Sequence, residues 1–342
     1  MNPFDCHQPS IFIVCSPFQA LCAIAAIKQL KIDDYKMLAF FPKGNHRNEQ
    51  LLKIFELYHI DFKSFTRFGG IADKWYKLRA FRHRRSVYKR LFIADFRNPT
   101  MFFVGCRFVS DEANIVYLDD GSATISFLQD HIVSPIIGVN KWFMQKVANR
   151  RSYLLLKNVL TIYDDIPNPK YNIESLDLSI IINNRNNKGR VKEKNGIYIV
   201  GTNISSYCIP LQYPAEKFIK KLDELFVWLK DKYDGDEIIY IPHGRDESNY
   251  AQDICEKYGC EFRRANEIIE LELLKIPNPP KAIYGFTSSA LYNLKRLFPH
   301  TDVVNILFNG NISNLNYQEY LLLSEYYQKN GIETMKQEIE LV

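Results

Sequence analysis

IFIVCSPFQALCAIAAIKQL, residues 11–30, is the stretch on which the fold turns. Ile11 to Cys15 is an unbroken apolar run, and it stops at Ser16-Pro17. A run of that length with no polar alternation suits a parallel strand covered on both faces. Phe18 to Leu30 then changes to a helical period. A buried strand leading straight into a helix is half of a βαβ unit.

The same rhythm continues outward. Lys36–Phe41, Met101–Val104, Asn114–Leu118 and Val159–Tyr163 read as strands, the last of them closing the first half, and Asn48–Tyr58 as a helix. From Pro167 to Lys194 the pattern dissolves into prolines and the polar run NNRNNKGRVKEKNG, which reads as a connection. It restarts with strands at Ile197–Val200, Glu237–Ile241 and Ala282–Phe286. Helices are predicted at Ala215–Tyr233, Glu247–Tyr258 and Ser289–Leu297. The expected fold is α/β, with two Rossmann-like doubly wound domains facing across a cleft. Their expected bounds are 1–166 and 195–342, with 167–194 as linker.

A length of 342 residues fits two cores better than one. Seven scattered cysteines form no CxxC pair, so neither a zinc site nor a redox dithiol is expected, and the thiols read as buried and free. The opening residues lack the pattern of a secretory signal, and no run of about 18 apolar residues occurs. A cytoplasmic protein is expected. The abundance of rings, 21 Tyr and 23 Phe, implies either a well-filled core or ring-lined surfaces, which also allow a homodimer.

Three polar clusters follow predicted strands, where such folds keep their sites. Asp119-Asp120-Gly121-Ser122 follows NIVYL. A carboxylate there can take a proton from a hydroxyl, and two adjacent carboxylates push one pKa upward. The same residues also suit a cap and a turn. Pro242-His243-Gly244-Arg245 follows EIIYI and offers an imidazole and a guanidinium to a phosphate. The alternative there is a solvated loop. Thr287-Ser288-Ser289 lies between AIYGF and a helix, where hydroxyls and free N–H groups can cradle a phosphate, or simply cap. An acid-like His, a base-like Asp and a phosphate cradle together form the set that a transferase joining two substrates requires.

The set resembles the bacterial lipooligosaccharide sialyltransferases of glycosyltransferase family 52. Those carry an acidic-acidic-Gly motif, a His-Pro motif and a Ser-Ser or Ser-Thr motif in this order. Asp119-Asp120-Gly121, His243 and Ser288-Ser289 match them, and IVCSPFQALCA resembles the family's first strand and loop. The resemblance implies a GT-B architecture and inverting transfer, without metal or other cofactor, from CMP-sialic acid to a terminal sugar such as galactose on a lipooligosaccharide or capsule-type glycan. It makes Asp120 the base, with Asp119 as the other candidate, and has His243 protonate or stabilise the departing phosphate. Ser288 and Ser289 would hold that phosphate, and Glu270 or Glu272 the ribose hydroxyls. Ser16, Pro17, Gln19, Gly121, Ser122, Gly244 and Arg245 are the further expected binding residues. His243-Gly244 departs from His-Pro. That leaves another CMP-activated nonulosonic acid or Kdo, or another nucleotide sugar, as the alternative donor.

Lys74 to Arg90 carries eight basic residues interleaved with Trp75, Tyr76, Phe81 and Tyr88, and Lys141–Lys157 has a similar character. A basic aromatic helix of this kind suits an anionic inner-leaflet surface, and so a peripheral enzyme on the inner face of the bacterial inner membrane with a glycolipid acceptor. A solvated helix with its rings in the core is the alternative. A net charge of only +5 and the lack of a recognised motif argue against nucleic acid.

Overall fold

The computed structural model describes residues 4, 7–41, 47–66, 88–95, 98–129, 158–182 and 196–337. The chain divides into two compact units, Met1–Arg185 and Asn186–Val342.

In the first unit the strands are β1 (Ser10–Val14), β2 (Tyr35–Phe41), β3 (Phe62–Thr66), β4 (Tyr88–Ile93), β5 (Val109–Leu118), β6 (Asn158–Thr161) and β7 (Asn172–Ser175). They form one sheet in the order β3-β2-β1-β4-β5-β6-β7, and every pairing is parallel. β1 is buried throughout, as its apolar run predicts. Helix α1 (Pro17–Gln29) is buried at Pro17 and at every residue from Gln19 to Ile27, because it is apolar nearly all round. Ser16 caps it, its hydroxyl accepting from Gln19 N at 3.3 Å. Helix α2 (Arg47–Leu57) follows β2.

Several readings of this half are corrected. Met101–Val104 is not a strand: it lies inside α3 (Pro99–Phe108), started by Asn98, whose side chain accepts from Thr100 N and Met101 N at 3.2 and 3.4 Å. A short apolar run fits a buried helix as well as a strand, and the Asn-Pro start signal decides it. Val159–Tyr163 does not close the half, since β7 pairs with β6. Pro167–Ile182 is therefore not all connection. It carries β7 and a short helical turn, α5 (Ser179–Ile182), preceded in the chain by α4 (Ser122–Leu128). Gln29 ties this segment to α1, donating to Ser175 O at 2.7 Å and accepting from Asp177 N at 2.8 Å.

The end of the basic stretch is corrected as well. Tyr88-Lys89-Arg90 begins β4, and Arg90 is fully buried. Its Nε donates to Ser10 Oγ at 2.9 Å and its Nη2 to Gln8 O at 3.0 Å. Its guanidinium carbon stands 5.4 Å from the Phe92 ring centre. Arg90 joins the starts of β1 and β4 and faces no lipid. Residues 74–87 and 141–157 lie outside the described residues.

The second unit repeats the plan. Strands β8 (Ile197–Val200), β9 (Ile238–Ile241), β10 (Glu261–Phe262), β11 (Ala282–Gly285), β12 (Asp302–Phe308) and β13 (Glu333–Gln337) form an all-parallel sheet in the order β10-β9-β8-β11-β12-β13. Helices α6 (Ile204–Leu211), α7 (Ala215–Lys232), α8 (Tyr250–Tyr258), α9 (Ile269–Leu273), α10 (Ser289–Leu297) and α11 (Leu315–Lys329) complete it. On α7, Phe218, Leu222, Leu225, Phe226 and Leu229 are buried at the spacing of one helical face. The rings gather in the core: Phe218 lies 5.3 Å from Phe286, 5.2 Å from Phe308 and 5.5 Å from Tyr207 between centroids. Among the described residues no helix is long and apolar enough to cross a membrane.

Candidate functional site

In the first sheet the register runs Ile13, Ile93, Tyr117 across β1, β4 and β5. Two residues further on come Cys15, Asp95 and Asp119, level with one another at the carboxyl edge. Asp95 escaped the reading of the sequence because β4 did.

The two adjacent carboxylates are used differently. Asp119 is fully buried. Thr161 donates its hydroxyl to Asp119 Oδ1 at 2.5 Å, and Ile162 N donates to Oδ2 at 2.7 Å, so the carboxyl group staples the ends of β5 and β6. Burial pushes its pKa up to about 7. Hydrogen bonds from Thr161, Ile162 and Thr124 work against that, and the neighbouring charge of Asp120 adds the least. The raised acid expected of the pair therefore exists, but it is the inner one and burial is the main cause. Both Asp119 oxygens are engaged inside the sheet, and none of its surface reaches solvent.

Asp120 is half-buried and turned the other way. Its Oδ1 accepts from Gln19 Nε2 at 2.6 Å, and its backbone N–H donates to Thr124 Oγ1 at 2.9 Å. Gln19 Oε1 is already committed to Cys15 N at 2.8 Å. The amide can therefore present only its NH2 end to Asp120, which favours the ionised carboxylate. Gly121 follows with φ 65 and ψ −138, a backbone that other residues avoid, and it turns the chain into α4. Ser122 is half-buried at the start of that helix. Ser16, Pro17 and Gln19, expected to bind substrate, are all buried and build this corner from within. The Cys15 thiol is pushed up to about 12 by burial and by the charges of Asp95 and Asp120, so it stays protonated.

In the second sheet Ile241, Val200 and Gly285 are level across β9, β8 and β11. His243 and Thr287 each lie two residues beyond that row, with Gly201-Thr202-Asn203 between them. A side chain on Gly201 would collide with the Tyr240 hydroxyl, which suits a glycine directly after β8.

His243 is half-buried in a loop pinned at several points. Arg245 N donates to His243 Nδ1 at 3.1 Å, and Asp246 N donates to His243 O at 2.8 Å. Asn203 Nδ2 donates to Arg245 O at 2.9 Å, and Arg264 Nη1 to Asp246 O at 3.0 Å. The buried Asp246 carboxylate accepts from Ser248 Oγ at 2.6 Å, Ser248 N at 3.2 Å and the Tyr250 hydroxyl at 2.9 Å. This knot delays the following helix to Tyr250, three residues later than Glu247, where the sequence placed its start. The Arg245 residue is exposed while its backbone does the positioning, and Gly244 is half-buried.

Ser288 caps α10, its hydroxyl accepting from Ala290 N at 3.3 Å, and Ser289 opens the helix; both are half-buried. Ahead of them Thr287 holds φ 47, a strained value for a β-branched residue. Thr287 N donates to Asn305 Oδ1 at 2.8 Å, and the fully buried Asn305 donates from Nδ2 to Ser324 Oγ at 2.9 Å. Glu270, expected at the ribose hydroxyls, lies inside the second unit. It is buried and accepts from Asn293 Nδ2 of α10 at 2.7 Å. Glu272 Oε1 accepts from Glu267 N at 2.7 Å, within its own turn. Among the described residues no three His, Cys, Asp or Glu side chains gather as a metal cluster would.

No protein-family model matches the chain, and no curated protein matches it. Solved structures do. A protein described as a UDP-N-acetylglucosamine 2-epimerase from Listeria monocytogenes is similar with a TM-score of 0.54 and 9% identity, over 95% of this chain and 90% of that one. That likeness shows the fold. The chain has two Rossmann-like doubly wound domains of the GT-B type. The GT-B domain of a Photobacterium damselae sialyltransferase is also similar, at 10% identity over 96% of this chain and 99% of that one, with a TM-score of 0.48. MurG of Acinetobacter baumannii follows at 8% identity, 96% and 86% coverage and a TM-score of 0.47.

Proposed function

We propose that this chain is a glycosyltransferase that moves a sialic-acid-type sugar from a CMP donor to a glycan hydroxyl, with inversion. The observation that carries the reading is the division of labour at Asp119-Asp120. One carboxylate is consumed inside the sheet, and the other is held part-exposed at its edge by an amide that favours its ionised form. An ionised, oriented carboxylate is what deprotonation of an attacking hydroxyl needs. In this reading Asp120 takes the acceptor proton, while the hydroxyls and N–H groups at the start of α10 hold the donor phosphate with His243. No step is assigned to a metal. The acceptor is proposed to be a terminal sugar of a surface glycan, met at the cytoplasmic side of the membrane.

The resemblance to family 52 supports this reading through Asp120, His243 and Ser288-Ser289. A second reading keeps the scaffold and changes the donor, and Gly244 in place of the family's proline favours it. Another CMP-activated nonulosonic acid or Kdo would use the same residues.

The test is transfer from CMP-sialic acid to a lactose-type acceptor in EDTA, comparing wild type with Asp120→Ala and His243→Ala. Folded variants that each lose about 100-fold or more support the assignments. Thermal protection by UDP and none by CMP would sink the CMP reading and move the search to UDP-sugars.

A further inference from the structure

We infer that Asn305, on β12, is a positioning residue for the proposed phosphate cradle, and that it acts by holding Thr287 in the strained turn on which Ser288 and Ser289 stand. The inference rests on the reading in which the start of α10 holds the donor phosphate. It adds a residue that no motif in the sequence marks.

The turn is short and closely bounded. β11 ends at Gly285 and α10 begins at Ser289. A Cβ on Gly285 would come within 2.9 Å of Leu291 Cδ2, so the helix lies close against the end of the strand before it. The chain must therefore turn back within Phe286-Thr287-Ser288. Thr287 does this with φ 47, where glycine or asparagine is the usual choice and a β-branched residue is an outlier. Thr287 carries a second cost, since its Oγ1 is buried and has no partner among the described residues. Local preference would not select this conformation, so something outside the turn has to hold it.

Asn305 is placed to do so. It is level with Gly285 in the register of β11 and β12, and it is fully buried. Its Oδ1 accepts from Thr287 N at 2.8 Å. Its Nδ2 donates to Ser324 Oγ at 2.9 Å, and that hydroxyl donates to Tyr320 O at 2.8 Å. The oxygen faces an N–H, which can only donate, so the amide has one orientation. Thus α11 fixes the amide, the amide fixes the Thr287 N–H, and Thr287 fixes where α10 begins. Ser288 Oγ accepts from Ala290 N, which leaves its own hydrogen for a phosphate oxygen. A relaxed Thr287, with φ below zero, would swing Ser288 and the first N–H groups of the helix away from that place.

The experiment measures CMP binding by calorimetry, melting and donor kinetics for Asn305→Ala, Ser324→Ala and the double variant Asn305→Ala with Thr287→Gly. Asn305→Leu, which keeps most of the volume, takes the place of Asn305→Ala if that protein does not fold. Loss of Asn305 should weaken CMP binding about tenfold or more, the worth of one hydrogen bond to a charged group, with the loss in donor KM and little in kcat. Ser324→Ala leaves the bond from Thr287 to Asn305 in place. It should lower Tm and keep CMP affinity within about twofold of wild type. Glycine adopts φ 47 without strain, so Thr287→Gly in the Asn305→Ala protein should recover most of the lost affinity while restoring no contact. An Asn305→Ala protein that binds CMP as wild type does overturns the inference and leaves the CMP reading intact. So does a loss of affinity in Ser324→Ala as large as in Asn305→Ala, which would mean a general loosening. A double variant that recovers nothing overturns it as well. No CMP binding by wild type overturns the inference and the CMP reading together.

Discussion

Gln19 Nε2 stands 2.6 Å from Asp120 Oδ1, joining residues 101 positions apart in the chain. The amide cannot flip, because its oxygen holds Cys15 N at 2.8 Å. One buried side chain thus connects the end of β1 to the carboxylate beyond β5.

Gln19→Glu keeps the acceptor for Cys15 N and replaces the donor with a like charge. The Asp120 pKa should rise, and since the base must be ionised, the acidic limb of the pH–rate profile should move to higher pH. A profile of kcat/KM against pH checks this. An unmoved limb would mean that Asp120 is not the group being titrated.

Asp119 should make stability depend on pH. Its folded pKa, about 7, lies above the unfolded value, so the folded state binds the extra proton between pH 4 and 7. Stability is full below the unfolded value and falls as pH rises through 7. Asp119→Asn, a permanent mimic of the neutral form, should flatten that slope in melts between pH 4.5 and 8.5. Parallel slopes in the two proteins would refute the assignment.

Asp246→Asn should loosen the His243 loop. It weakens the hydrogen bonds from Ser248 and Tyr250 to a buried charge, each worth about 1.5–3 kcal/mol. A lower Tm and about tenfold weaker CMP binding are expected, read by melting and by calorimetry, with the larger part of the kinetic loss in donor KM.

At Thr287 the strain itself is testable. Glycine adopts φ 47 freely, and Thr287 Oγ1 is a buried hydroxyl without a partner among the described residues. Thr287→Gly should therefore leave Tm unchanged or raise it, whereas Asn305→Ala strands Thr287 N–H and should cost about 1–3 kcal/mol. A large loss of Tm from Thr287→Gly would show that the methyl and hydroxyl contribute packing that outweighs the strain.

The elements with strong periodic patterns were legible: β1, α1, β2, α2, β8, α7, β9 and α10 all lie close to where their residues predict. Those missed have physical reasons. β4 begins with Tyr88-Lys89-Arg90, whose charges read as surface, whereas in the fold the hydroxyl of Ser10 and the carbonyl of Gln8 accept from the buried Arg90. β7 is four residues, NIES, with no apolar run to announce it. The site shows the same split. Asp-Asp-Gly, His and Ser-Ser stand out after strands, but Asn203, Asn305 and Thr161 are ordinary residues until their partners are known.

What the sequence determined by itself is the alternation of buried strands and amphipathic helices, because burial on both faces or on one leaves a period in the order of residues. It also marked the strand ends at which polar groups collect. Only the tertiary structure decided what each group does there. Asp119 and Asp120 are identical side chains one position apart, and successive residues leaving a strand point to opposite sides. One therefore meets Thr161 and Ile162 inside the sheet, and the other meets Gln19 at its edge. Those partners lie 42, 43 and 101 positions away, and the order of residues along the chain carries no record of them.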